Sequence, residues 1–149
     1  MAELIPTATA EKKGLMDNNF FRLNNYFDVT TAKGNDICNL FILPQYSWGL
    51  LAITSGPAHI IDKLNTGIYF INNRCQGSDN LVGYKLAGRG SIPFYYKRNS
   101  DNSVNVYTKV QNEDYINLRY KFIIPSLNFT PVNIVDSSIS EGSLTPLSL

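Results

Sequence analysis

Apolar and polar positions alternate with a period of two over much of the chain, the signature of β-strands that bury one face. The clearest run sets Val104, Val106, Thr108 and Val110 against Asn105, Tyr107 and Lys109. A second sets Ile116, Leu118, Tyr120 and Phe122 against Asn117, Arg119 and Lys121. Turn-forming clusters interrupt them, Asn99-Ser100-Asp101-Asn102-Ser103 before the first and Gln111-Asn112-Glu113-Asp114 between the two. The pattern therefore predicts a meander of strands over 92–98, 103–110 and 115–124. Earlier strands are expected at 26–31, 36–43, 47–54, 59–64, 67–72 and 81–86. About nine short strands separated by Gly, Pro and Asn clusters predict a mainly β fold, an antiparallel β-sandwich or jelly-roll-like domain with extended termini.

One short helix is expected to begin at Asp17. Its carboxylate can cap the backbone N–H groups that follow and suits the positive end of a helix dipole. Met16 before the cap and Phe21 inside the helix have the spacing of a hydrophobic staple, and Phe20 and Leu23 can share a face with Met16. A helix of about two turns is marginal alone, so its apolar face needs a partner surface.

Composition narrows the function classes. The 149 residues, 16.7 kDa, fit one domain able to fold without disulfides or metal. Thirteen basic and twelve acidic residues give a net charge of +1. Charged residues are 17% of the chain, below the usual level of about 25%, which speaks against nucleic acid as a partner. Residues 1–10 have no secretory signature, and no apolar run approaches the roughly 18 residues that span a bilayer, so no membrane insertion is expected. Three regions differ: 1–25, 26–125 with most of the strand patterning, and 126–149, which lacks Lys and Arg and reads as an extended C-terminal arm.

Catalytic chemistry is sparse. His59 is the only histidine, which excludes a multi-histidine metal site, and its apolar neighbours Ala58, Ile60 and Ile61 suggest a structural role. Cys38 and Cys75 lack a metal or redox spacing and read as small hydrophobes. Glu113-Asp114 reads as a solvated turn, and the glycines of 83–90 as a flexible turn rather than a phosphate loop. The sequon Asn128-Phe129-Thr130 has no secretory route to support it. No catalytic, metal-binding or cofactor-binding residue is singled out, and no enzyme activity is expected. The surplus is aromatic: Tyr46 and Trp48 are candidate ligand contacts, and Tyr69, Tyr84, Tyr95, Tyr96, Tyr107 and Tyr115 add rings with polar handles.

The stretch Ala8-Thr9-Ala10-Glu11-Lys12-Lys13-Gly14-Leu15-Met16-Asp17 resembles a segment of bacteriophage fibre and baseplate-associated proteins. In that pattern an Ala-Thr pair, a short variable stretch with Lys, Gly-Leu-Met and a Ser or Asp cap lead into a short helix. The chain departs from it after the cap, where Phe20-Phe21-Arg22-Leu23 follows. The resemblance implies a structural virion protein, a homotrimeric head or tail fibre assembled in the host bacterial cytoplasm. Residues 1–25 would then attach or trimerise through Leu15, Met16, Phe20 and Leu23. Its implied partners are its own copies, capsid or tail proteins and a host cell-surface glycan or protein. The other readings are a carbohydrate-binding module outside a virion and, behind it, a small polysaccharide depolymerase.

Overall fold

A computed structural model describes residues 26–57, 59–74, 81–111, 113, 116–125 and 129–149. Within them the alternating stretches become ten strands in two antiparallel sheets. The first sheet orders β1 (Phe27–Asp28), β8 (Asn117–Pro125), β3 (Trp48–Gly56), β4 (Asn65–Asn73) and β5 (Leu81–Arg89). The second orders β10 (Thr145–Pro146), β6 (Phe94–Arg98), β7 (Val104–Lys109), β2 (Ile37–Leu43) and β9 (Thr130–Val135). The fold is thus mainly β and a sandwich, as the alternation predicts.

The inward positions of both sheets meet in one core. Leu51, Ile53, Tyr69, Ile71, Leu118, Tyr120 and Phe122 from the first layer pack with Phe41, Leu43, Phe94, Tyr96, Val104 and Val106 from the second. Rings interlock across the layers, Phe41 against Phe122 at 4.9 Å and Tyr69 against Phe94 at 5.0 Å. Such tilted, edge-on pairs add to the large apolar area each ring buries. The Tyr120 hydroxyl also crosses the core, 2.7 Å from the Leu40 carbonyl on β2 and 2.6 Å from Asn133 Oδ1 on β9. It donates its single proton between these two acceptors.

Several expectations change. The predicted meander breaks after its second strand. β6 and β7 pair, with Tyr95 opposite Tyr107, but β8 crosses to the first sheet and lies between β1 and β3. Alternation reports which side chains are buried, and a strand buries the same side whichever layer it joins. The stretch 59–64 is no strand: it is a 3₁₀ turn at Ile61–Lys63 with local bonds, Lys63 N–H to Ile60 O at 3.0 Å. His59 precedes it in an exposed turn rather than in an apolar interior. The glycines of 83–90, read as a turn, lie largely within β5. There a bulge pairs Ile68 with Ala87 but Tyr69 with Lys85, leaving Leu86 extra, and Gly88 holds φ +121°.

The region 126–149, expected as an extended arm, takes part in the sandwich in its described part, 129–149. It supplies β9 and β10 and sends Phe129 and Leu147 into the core. Cys38 is buried and unpaired, and burial pushes its thiol up to about 12. Cys75, Tyr115 and the expected helix at Asp17, with Leu15, Met16, Phe20 and Leu23, lie outside the described residues.

Candidate functional site

The two outer faces of the sandwich differ. On the second sheet the chain after β9 passes through a 3₁₀ turn, Glu141–Ser143, into β10. The Glu141 carboxylate accepts hydrogen bonds from the Tyr95 hydroxyl and from Lys109 Nζ, both at 2.6 Å. Tyr95 and Lys109 are outward positions of β6 and β7, so this carboxylate straps the C-terminal segment onto that face. Lys109 and Tyr95 hold the Glu141 carboxyl below its ordinary range. The same bond drives the Tyr95 hydroxyl up to about 12. Tyr107, on the same outward side, is buried.

Among the described residues, the outer face of the first sheet stays open and largely apolar. Its outward positions are Trp48, Leu50, Ala52 and Thr54 on β3, Thr66, Ile68, Phe70 and Asn72 on β4, Tyr84 on β5, and Arg119, Lys121 and Ile123 on β8. Trp48 is 42% exposed and Tyr84 58%, high for large rings set in a sheet. Strand register places them together. Phe70 sits opposite Leu50 on one side and Tyr84 on the other, while Trp48, opposite Asn72, is its diagonal neighbour. The result is a row of rings across β3, β4 and β5. Trp48 and Phe70 are 6.1 Å apart with planes 37° apart, and Phe70 and Tyr84 are 6.3 Å apart with planes only 22° apart.

Beside the row the face dips into a groove of about 430 Å³. Small residues on adjacent strands make the depression: Ala52, Gly67, Ala87 and Gly88, with Thr54, Thr66 and Ile68. Register aligns them, Ala52 with Ile68, Gly67 with Gly88 and Ile68 with Ala87. A side chain at Gly67 would run into the Tyr69 ring, and one at Gly88 into the Thr66 carbonyl. Tyr26, Arg119 and Lys121 flank the groove. Arg119 grips Asp28 through Nε at 2.6 Å and Nη2 at 3.2 Å and lies 4.1 Å from the centre of the Tyr26 ring. On the same face Arg89, opposite Thr66, pairs with Asp62 at 3.0 Å, whereas Lys85, opposite Tyr69, belongs to the other side of the sheet.

Of the residues singled out from sequence, Trp48 joins the ring row and Tyr84 closes it. Tyr46 is exposed on the turn before β3 with φ +61°, and no ring contact links it to the row. Tyr69, Tyr96 and Tyr107 are buried. Phe70, the middle ring, is absent from the sequence-based candidates. Its signal is parity: it alternates with Tyr69 and Ile71, so a strand that buries those two must turn Phe70 outward. Among the described residues no group of three or more His, Cys, Asp or Glu side chains is placed to hold a metal ion. No helix among them is long and apolar enough to cross a membrane. No protein-family model, no curated protein and no solved structure matches the chain.

Proposed function

We propose that this chain is a structural bacteriophage virion protein, a homotrimeric head or tail fibre whose β-sandwich is displayed toward the host surface. The virion part draws on the Ala8-Thr9 and Gly14-Leu15-Met16 segment and its resemblance to fibre proteins. The display part is carried by one structural contrast. The second sheet has its outer face strapped by the chain's own C-terminal segment through Glu141, whereas the first leaves a ring row and a groove open. A large open apolar face with polar margins is what a recognition surface requires. Residues 1–25 then join the copies to one another and to capsid or tail proteins.

Light scattering of the full chain tests the assembly, with a molar mass of three chains of 16.7 kDa expected and a monomer at micromolar concentration overturning it. Deleting 1–16 removes the protein from purified particles while leaving its strand circular-dichroism signature. A second reading, a carbohydrate-binding module outside any virion, is favoured by the same ring row. It predicts glycan binding by a protein that is absent from purified particles.

A further inference from the structure

We infer that residues 136–149 form an acid-released clasp, closed over the outer face of the second sheet while Glu141 is ionised and swung off it, with the rest of the sandwich intact, once that carboxyl is protonated. The inference goes beyond the display reading and stands without it. Strand parity shows what lies beneath the clasp. Tyr107 on β7 pairs with Asn39 on β2, and both point away from the core, yet they are only 2% and 4% exposed. Tyr107 and Leu144 are buried without belonging to the central core cluster. Burial pushes the Tyr107 hydroxyl above its ordinary range, Asn105 opposes that, and the charge of Asp136, at the start of the clasp, adds to it. The far end of the clasp joins the two layers. Leu147 and Leu149 reach Gly83 on β5, where an added Cβ would lie 2.9 and 2.7 Å from their Cδ2 atoms.

The hold is slight. Within 136–149 only Leu144 and Leu147 are buried. β10 pairs just Thr145 with Tyr96 and Pro146 with Tyr95, and Pro146 has no N–H to donate. Backbone bonds from Asp136 N–H to Ile37 O at 2.9 Å and from Leu147 N–H to Phe94 O at 2.8 Å secure the two ends. Between them Glu141 gathers Tyr95 and Lys109 onto one carboxylate. A segment with so few buried contacts opens locally before the whole molecule unfolds. The base keeps its own bonds and can act as a hinge, since Asp136 Oδ1 accepts from the Ser138 N–H at 3.2 Å and from Ser138 Oγ at 2.6 Å. The charged and titratable groups on the elements around Glu141 are Tyr95 and the outward Lys97 on β6, Lys109 on β7 and Asp136 in the clasp, whereas β2 and β9 carry no charged side chain. Lys109 and Tyr95 hold the Glu141 carboxyl low, so its grip is present above the ordinary value of 4.5 and is lost as pH falls through the lowered value. Protonation ends the ion pair with Lys109 and leaves Tyr95 a neutral, weaker acceptor.

Amide hydrogen exchange of the full-length protein, followed by NMR at pH 6 and pH 3 and corrected for intrinsic rates, tests the clasp. The Leu147 amide is expected to lose protection several-fold at pH 3, the scale for a solvent-exposed ion pair, while Ile53 on β3 and Val106 on β7 keep theirs. Glu141→Gln shows the lower Leu147 protection already at pH 6 and no further fall. Leu147→Ala, read at the Leu144 amide, lowers protection at both pH values and keeps the acid response, so the test does not hang on one variant. Equal Leu147 protection at the two pH values overturns the inference. A fall shared by Ile53 and Val106 marks general acid unfolding and overturns it too. An acid response that survives in Glu141→Gln assigns the switch to Asp136 or another group and does the same.

Discussion

Replacing Asn73 by alanine is expected to cost about 3 kcal/mol, because one fully buried amide ties together three loops. Its Nδ2 lies 3.1 Å from the Leu43 carbonyl, 3.0 Å from that of Pro44 and 2.9 Å from that of Asn102. Its Oδ1 accepts from Arg98 Nη1 at 3.0 Å. Two amide protons serve three carbonyls, so two net bonds of about 1 kcal/mol each are counted. Orphaning the buried Leu43 carbonyl adds roughly 1 kcal/mol or more to that loss. Arg98 keeps a partner, since its Nη1 also donates to Asn102 O at 2.9 Å. Urea unfolding reads the outcome. At a slope of about 2 kcal/mol/M the midpoint falls by roughly 1 to 2 M, with the slope unchanged. The 44–47 turn survives in the folded variant, because Tyr46 N–H donates to the Asn73 carbonyl at 2.7 Å and Asn73 N–H to Ser47 O at 2.8 Å, both through the backbone. Trp48 therefore keeps its place. A loss under 1 kcal/mol at constant slope would refute the reasoning, as it would show that the loops close without the amide.

Four further outcomes follow from the same geometry. Tyr120→Phe removes the proton that the hydroxyl offers to Leu40 O and Asn133 Oδ1 and is expected to cost about 1–2 kcal/mol by urea unfolding, no change in midpoint being the contrary result. Gly88→Ala forces a side chain onto a φ of +121° and into the Thr66 carbonyl, so its melting temperature falls by several degrees, about 1–3 kcal/mol, while an unchanged melt would show that the strand tolerates a side chain there. Glu141 has a carboxyl lowered in the folded state by Lys109 and Tyr95, so its contribution is present above its ordinary value of 4.5 and is lost as pH falls through the folded value; Glu141→Gln flattens that acid limb in urea midpoints taken from pH 6 to 3, and an identical limb would dismiss the strap. Cys38, with its thiol pushed up to about 12, escapes alkylation at pH 8 until the chain unfolds, as peptide mass spectrometry would report; labelling of the native protein would contradict its burial.

Local alternation was enough to assign inward and outward sides. Val104 and Val106 on β7, and Leu118, Tyr120 and Phe122 on β8, face the core as their spacing requires, because the period of a strand is set by its own backbone. The same rule turns Phe70 outward once Tyr69 and Ile71 point inward. The ring row is not visible at that level. Trp48, Phe70 and Tyr84 belong to three strands far apart in sequence, and their meeting depends on the register of β3 with β4 and of β4 with β5. Gly83, Gly88 and Gly90 mislead for a related reason: β4 supplies the pairing that holds most of 83–90 extended, and Gly88, at φ +121°, is paired with Gly67 within it.

What the sequence by itself determined is a β protein of modest charge, its core faces and its turn chemistry. Tertiary structure alone decided that β7 and β8 part into different sheets, that 129–149 joins the sandwich, and that Glu141 straps one outer face while no described segment crosses the other. Burial pattern is a property of short segments, whereas a covered or open face results from pairings between strands that the chain brings together only when it folds.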